Sequence, residues 1–169
     1  MRQIKYVLMP VLIAALPAWA QTKPDDSAIE YKWNAHGYFA GGSSMGDNNA
    51  GYAGGGGGFE AFVWKRVTVG GDVSVFRDNY YTAAGTFGHI GAQVGYHFAS
   101  RDKTRGADPF VIFGVGGYFP EESSAAVHGG GGLNYWFHRR IGVRFESRVA
   151  GRPYGDNIDG VFRAGIAFR

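Results

Sequence analysis

The strongest constraint on this chain is a period of two. Eight stretches, at 33–43, 52–63, 67–77, 87–98, 110–119, 127–137, 141–151 and 160–169, alternate apolar with polar or small residues, and none sustains a helical period. Each is about ten or eleven residues long, what a tilted strand needs to cross a bilayer, whereas strands in soluble sandwiches are typically nearer five or six. In the third stretch Val67, Val69, Val73 and Val75 share one face, and Thr68, Asp72 and Ser74 the other. In the seventh, Ile141, Val143, Phe145 and Val149 oppose Arg144, Glu146 and Arg148. The fold class predicted is all-β: a closed, antiparallel, eight-stranded up-and-down transmembrane β-barrel over residues 33–169.

Alternation alone does not choose the medium. A soluble barrel or sandwich of the lipocalin kind alternates too, with its charges outside and its apolar face in the core. Strand length, the even strand number and the aromatics at strand ends favour the membrane. Trp33, Phe98, Phe137 and Phe168 all fall at the same end of the expected barrel, where an interfacial girdle belongs. The chain has 29 glycines beside 27 aromatic residues. Low-complexity disorder would supply the glycine without the rings, whereas curved sheets use both. The runs 54–58 and 129–132 open no helix and lack the Gly-Lys-Ser/Thr phosphate signature. The fifth stretch is apolar on both faces; Val111, Phe113 and Val115 are assigned to lipid, with Gly114 and Gly116 inward.

The first twenty residues read as an export signal. Arg2 and Lys5 lead a short apolar run broken by Pro10 and Pro17, followed by Ala18-Trp19-Ala20 as a cleavage site. An uncleaved anchor is the alternative, but the run is too short to span a membrane as a helix. Residues 1–20 are therefore expected to be removed, and 21–32 to form a polar lead. The chain has no cysteine, so no disulfide framework is available. Outside the leader the formal charge is near neutral, which argues against a nucleic-acid partner.

The connections differ in sign. With both termini periplasmic, the outer connections 44–51, 78–86, 120–126 and 152–159 carry six carboxylates against Arg152, a net −5. The opposite ones, 64–66, 99–109 and 138–140, carry seven basic residues against Asp102 and Asp108, a net +5. One interpretation is merely solvated turns; the sharper one is a basic rim against anionic phospholipid headgroups.

The leader, the eight alternating runs and the Gly-aromatic strands, such as 110–118 and the closing 162–168, together resemble the small outer-membrane β-barrel family, the OmpA-like and OmpX-like porin-family barrels. That resemblance covers the whole chain after the leader. It implies location in the outer membrane of a Gram-negative-type bacterium and contact with outer-membrane lipids. It also implies a monomer, and insertion by the barrel assembly machinery, which recognises a closing aromatic. Here Phe168 is followed by Arg169. The peptidoglycan-binding domain that follows some relatives' barrels is not in this sequence.

An eight-stranded barrel is only wide enough for side chains to fill it. The alternation sends Asn34, His36, Tyr38, Glu60, Thr68, Asp72, Ser74, His89, Gln93, His97, His128, Asn134, Arg144, Glu146, Arg148 and Arg163 inward. Glu60 fixes its strand's register, because facing lipid would cost roughly 2–4 kcal/mol near midplane; Val63 then pairs with Val67 across a three-residue turn. The same reasoning sets Arg148 beside Arg163, with Glu146 diagonal to them. Glu60 and Asp72 reach across the lumen towards Arg144 and Arg148. The expected site is an interior ion-pair network of Glu60, Asp72, Arg144, Glu146, Arg148 and Arg163 that plugs the barrel.

The function expected is a structural or surface-interaction barrel with a filled lumen. The alternative is a narrow channel, with those charges as its constriction. Less favoured is a lipid A-modifying barrel enzyme. His89 and His128 sit near the outer end, but no outer connection contains a histidine, and Ser43, Ser44, Ser123 and Ser124 have no nearby base in sequence. No cofactor or metal is expected, since the histidines lack ligand spacing. Tyr80, Tyr81 and Tyr154 are candidate contacts for a surface ligand.

Overall fold

A computed structural model describes residues 31–45, 51–78, 85–99, 105–119, 124–151 and 158–169. The export signal, the lead as far as residue 30, and most of each outer connection lie outside the described residues, including Asp47, Tyr80, Tyr81, Glu121, Glu122, Ser123, Arg152, Tyr154 and Asp156. Eight strands follow one another: β1 Trp33–Met45, β2 Gly51–Trp64, β3 Val67–Asp78, β4 Thr86–His97, β5 Gly106–Phe119, β6 Ser124–Trp136, β7 Ile141–Gly151 and β8 Ile158–Phe168. Each pairs antiparallel with the next, and β8 closes on β1.

The period of two becomes an inside and an outside. Glu60 and Asn134 are fully buried and Arg144 is 3% exposed, while Ile90 is 60% and Phe113 65% exposed on the outer face. A soluble barrel would have these reversed. A barrel with charges buried and apolar side chains outward has hydrocarbon for its outer solvent, so this is a transmembrane barrel rather than a lipocalin-like one. Trp33, Phe98, Phe137 and Phe168 are exposed together at the end where β1 begins and β8 ends, joined there by Trp64 and Tyr135. Val111, Phe113 and Val115 face outward, and Phe110 and Ile112 fill the lumen behind them.

Three local expectations differ from the structure. Between β2 and β3 the turn contains two residues, not three. Phe62 pairs with Thr68, the register then shifts, and Trp64 pairs with Val67. Glu60 still faces inward, and the bulge takes up Val63. Lys65 turns the corner at φ 34°.

Between β7 and β8, Arg163 pairs with Glu146 rather than with Arg148, whose partner is Val161. The displacement is two residues, so every side chain keeps its face. It replaces two adjacent like charges by an opposite pair, the favoured arrangement.

Finally, β5 and β8 begin before the apolar runs do. Asp108 and Asp159, expected in connections, lie within strands and are buried.

Candidate functional site: a filled lumen

The lumen is built from small and large residues in alternation. Inward glycines on one strand make room for long side chains from its neighbours. A Cβ on Gly130 would overlap the Ser147 carbonyl oxygen and sit 3.0 Å from the Arg148 Cα; one on Gly58 would sit 2.6 Å from the His36 ring. Strands β2, β5 and β6 thus contribute bare backbone, and β7 contributes the arginines.

At mid-height the six residues singled out from the sequence converge. Arg144 donates from Nη2 to Glu60 Oε1 and Glu146 Oε2, both at 2.8 Å, and from Nε to Glu146 Oε2 at 3.1 Å. Arg148 donates from Nη1 to Asp72 Oδ1 at 2.8 Å, from Nη2 to Gln93 Oε1 at 2.7 Å, and from Nε to Glu146. Arg163 donates from Nη1 to Asp72 Oδ2 at 2.9 Å and lies 3.5 Å from Glu146 Oε1. Three guanidinium groups meet three carboxylates, so the layer is neutral. It also spans the lumen, linking β2, β3, β4, β7 and β8. Buried charges survive only when paired and hydrogen-bonded, and here each carboxylate has at least two donors.

Aromatic layers close the network above and below. Towards the outer end, Tyr52, Phe76 and Phe87 pack with ring centroids 5.2–5.5 Å apart, and Tyr118 adjoins Phe87. Towards the end where β1 begins and β8 ends, Phe110 lies under Arg144, its ring centre 3.9 Å from the guanidinium carbon. Arg169 covers Trp136 at 4.0 Å and Tyr31 at 4.1 Å. Cation–π contact suits Arg here, since the guanidinium is planar and weakly hydrated.

Gln93, His97, Asp108 and Asn134 join the network without having been part of the expected set. Gln93 bridges it, donating from Nε2 to Glu60 Oε1 at 3.3 Å. His97 stands between two carboxylates, with Nδ1 2.9 Å from Asp108 Oδ2 and Nε2 3.1 Å from Glu60 Oε2. One proton more than a neutral imidazole holds is needed on this chain for both contacts to be hydrogen bonds. Asn134 donates to Asp108 Oδ2 at 3.3 Å. Gln93, His97 and Asn134 are legible as inward positions; Asp108 is not, because Pro109 and the charged segment before it read as a connection.

Among the described residues, the histidines near the outer end do not assemble a hydrolytic triad. His89 Nδ1 lies 3.7 Å from Asp72 Oδ2, while its Nε2 points across β5, 2.5 Å from where a Cβ on Gly116 would sit. Ser74, opposite His89 in the register, has a buried hydroxyl that is hydrogen-bonded to neither ring. His89 and His128 stand edge to face at 5.8 Å, beside a cavity with about 10 Å³ of free space, roughly what one water molecule needs. Among the described residues no three metal-ligating side chains converge.

No family model matches the chain, and no curated protein matches it by sequence. Solved structures do match by shape. Neisserial surface protein A superposes with a TM-score of 0.67 at 10% identity, covering 80% of this chain and 96% of that one. Ail, the attachment invasion locus protein of Yersinia pestis, gives 0.61 at 14%, covering 83% and 99%. OprG of Pseudomonas aeruginosa gives 0.58 at 12%, covering 81% and 94%. The fold is that of the small eight-stranded outer-membrane barrels. The outward apolar belt and the barrel closure make this a membrane-spanning barrel, an architecture it shares with OprG, an outer membrane protein.

Proposed function

We propose that this outer-membrane barrel is closed by its own side chains and serves as a structural or surface-contact element rather than as a conduit. The observation that carries the proposal is the neutral guanidinium–carboxylate layer across the lumen, with aromatic rings on either side of it. An ion or solute would have to part several charge-assisted hydrogen bonds of the stronger class at once. A barrel of eight strands has no width to spare for a second path. The neighbours' names fit this function, one a surface protein and one an attachment protein.

A narrow channel is the second reading, and one observation favours it. Arg144 Nη1 and Arg163 Nε are buried without a protein partner, and a file of lumen water would satisfy them. Intact cells decide between the two. If the barrel is closed, deleting it leaves the entry rate of a small hydrophilic β-lactam unchanged, measured by periplasmic hydrolysis. A marked fall in entry, restored by the wild-type chain and not by a folded Glu146→Gln variant, would favour the channel.

A further inference from the structure

We infer that the rim at the end where β1 begins and β8 ends is a docking surface for anionic phospholipid headgroups of the periplasmic leaflet. Even-stranded outer-membrane barrels keep their short turns on that side. Lys32, Lys65, Arg66, Arg105, Arg139 and Arg140 are all exposed there, distributed around the circumference next to β1, β2, β3, β5, β6 and β7. Among the described residues of that end no Asp or Glu side chain is exposed, since Asp108 is buried in the lumen, as Glu60 and Glu146 are deeper in. Surface turns of no particular role usually mix the signs, whereas among the described residues of this end the acid points in and the bases point out; Asp102 lies outside them.

Height along the barrel specifies the partner. Exposed Trp33, Trp64, Phe98, Phe137 and Phe168 form the aromatic belt of this end. Such belts sit at headgroup level. The cations lie at the same level or just beyond it, where lipid phosphates are found; the Lys65 ammonium is 5.8 Å from the Trp64 ring centre. Lys65 also occupies a corner where φ is 34°, a conformation a glycine would adopt with less strain. Arg169 is different: it folds back over Trp136 and Tyr31 and donates to the Arg139 carbonyl oxygen at 3.2 Å, bracing the turn that holds Arg139 and Arg140. At the opposite end, Arg77 is the exposed cation among the described residues. The asymmetry matches a bilayer whose inner leaflet supplies the phosphodiesters.

The belt supplies its own probe. Folded protein purified from outer membranes is reconstituted in phosphatidylcholine containing either brominated phosphatidylglycerol or brominated phosphatidylcholine at equal mole fraction. Bromine quenches Trp33 and Trp64, which face the lipid next to the rim. One cation near an anionic surface is worth about 1 kcal/mol, which is about a fivefold preference. The expected result is that brominated phosphatidylglycerol occupies the rim about fivefold more strongly. The preference should fall below twofold near 1 M salt, where the screening length is about 3 Å. It should fall likewise in Lys65→Gln/Arg66→Gln/Arg139→Gln/Arg140→Gln, whose heat-modifiable gel mobility certifies the fold, and persist in Arg77→Gln. A wild-type preference below twofold, or one retained by the quadruple variant, overturns the proposal. Equal quenching together with rim-dependent sedimentation on isolated peptidoglycan would also overturn it, assigning the rim to that polymer.

Discussion

Glu146 is the carboxylate that three arginines share, and replacing it by glutamine is the sharpest perturbation the lumen allows. The change keeps size and shape. It leaves one oxygen to accept, so either the 2.8 and 3.1 Å bonds from Arg144 to Oε2 or the bond from Arg148 to Oε1 loses its acceptor, and Arg163 keeps one carboxylate, Asp72. Three guanidinium groups then face Glu60 and Asp72, and the amide NH₂ turns a fourth donor against them. The Glu146 side chain is 1% exposed, so bulk water does not screen the loss. Breaking a buried pair by removing one partner costs about 3–5 kcal/mol, and the expected loss of unfolding free energy lies in that range. Urea unfolding of the folded protein in micelles, followed by tryptophan fluorescence and heat-modifiable gel mobility, measures it. Arg140→Gln on the exposed rim is the control, with a change of about 0.5 kcal/mol or less. In the double variant Glu146→Gln/Arg163→Gln the losses should fall short of additivity by about 0.5–3 kcal/mol, as for residues in one network. A loss below about 1 kcal/mol for Glu146→Gln, or strict additivity, would refute the shared layer.

Other consequences follow from the two faces. Val73, half-exposed to lipid, should tolerate leucine but lose about 2–4 kcal/mol of membrane stability as arginine, seen as failed insertion into vesicles. Thr68→Arg and Asn134→Arg, which a merely polar lumen would accept, should also fail, because those side chains are 1% and 0% exposed and overpacking typically costs about 1–3 kcal/mol. Gly130→Ala should lower the urea midpoint, since a Cβ would overlap the Ser147 carbonyl. The adjacent Gly129→Ala, with 3.8 Å to its nearest neighbours on the lipid side, should not. Asp108→Ala should cost about 1–3 kcal/mol by leaving His97 and Asn134 donors unmet, measured by the same unfolding assay.

Period two exposed both faces of most strands, because a residue that faces lipid cannot be charged at midplane and one that faces the lumen need not be apolar. Glu60, Asp72, Arg144, Glu146, Arg148 and Arg163 are therefore legible as inward residues from the alternation alone. Their pairing was less so. The register across the last connection depends on its conformation, which alternation does not encode, and a displacement of two residues put Glu146 rather than Arg148 opposite Arg163. The bulge at Val63 is likewise a turn property. Asp108 was hidden by Pro109, a residue that punctuates most strands, and by β5 being apolar on both faces. The aromatic layers were present in the sequence as Tyr52, Phe76, Phe87 and Tyr118 at inward positions, but an inward ring and an outward ring look alike until the register is fixed.

Single-channel recording across planar bilayers tests the closed lumen most directly. With the Glu60–Arg144–Glu146–Arg148–Asp72–Arg163 layer intact, wild-type protein should give no resolvable current steps over the range of voltages the bilayer withstands. Intermittent openings should appear in Glu146→Gln, where Arg148 is freed from one of its two carboxylates. Stable wild-type openings would contradict the closed lumen, the more so if Glu146→Gln changed their ion selectivity without changing unfolding stability.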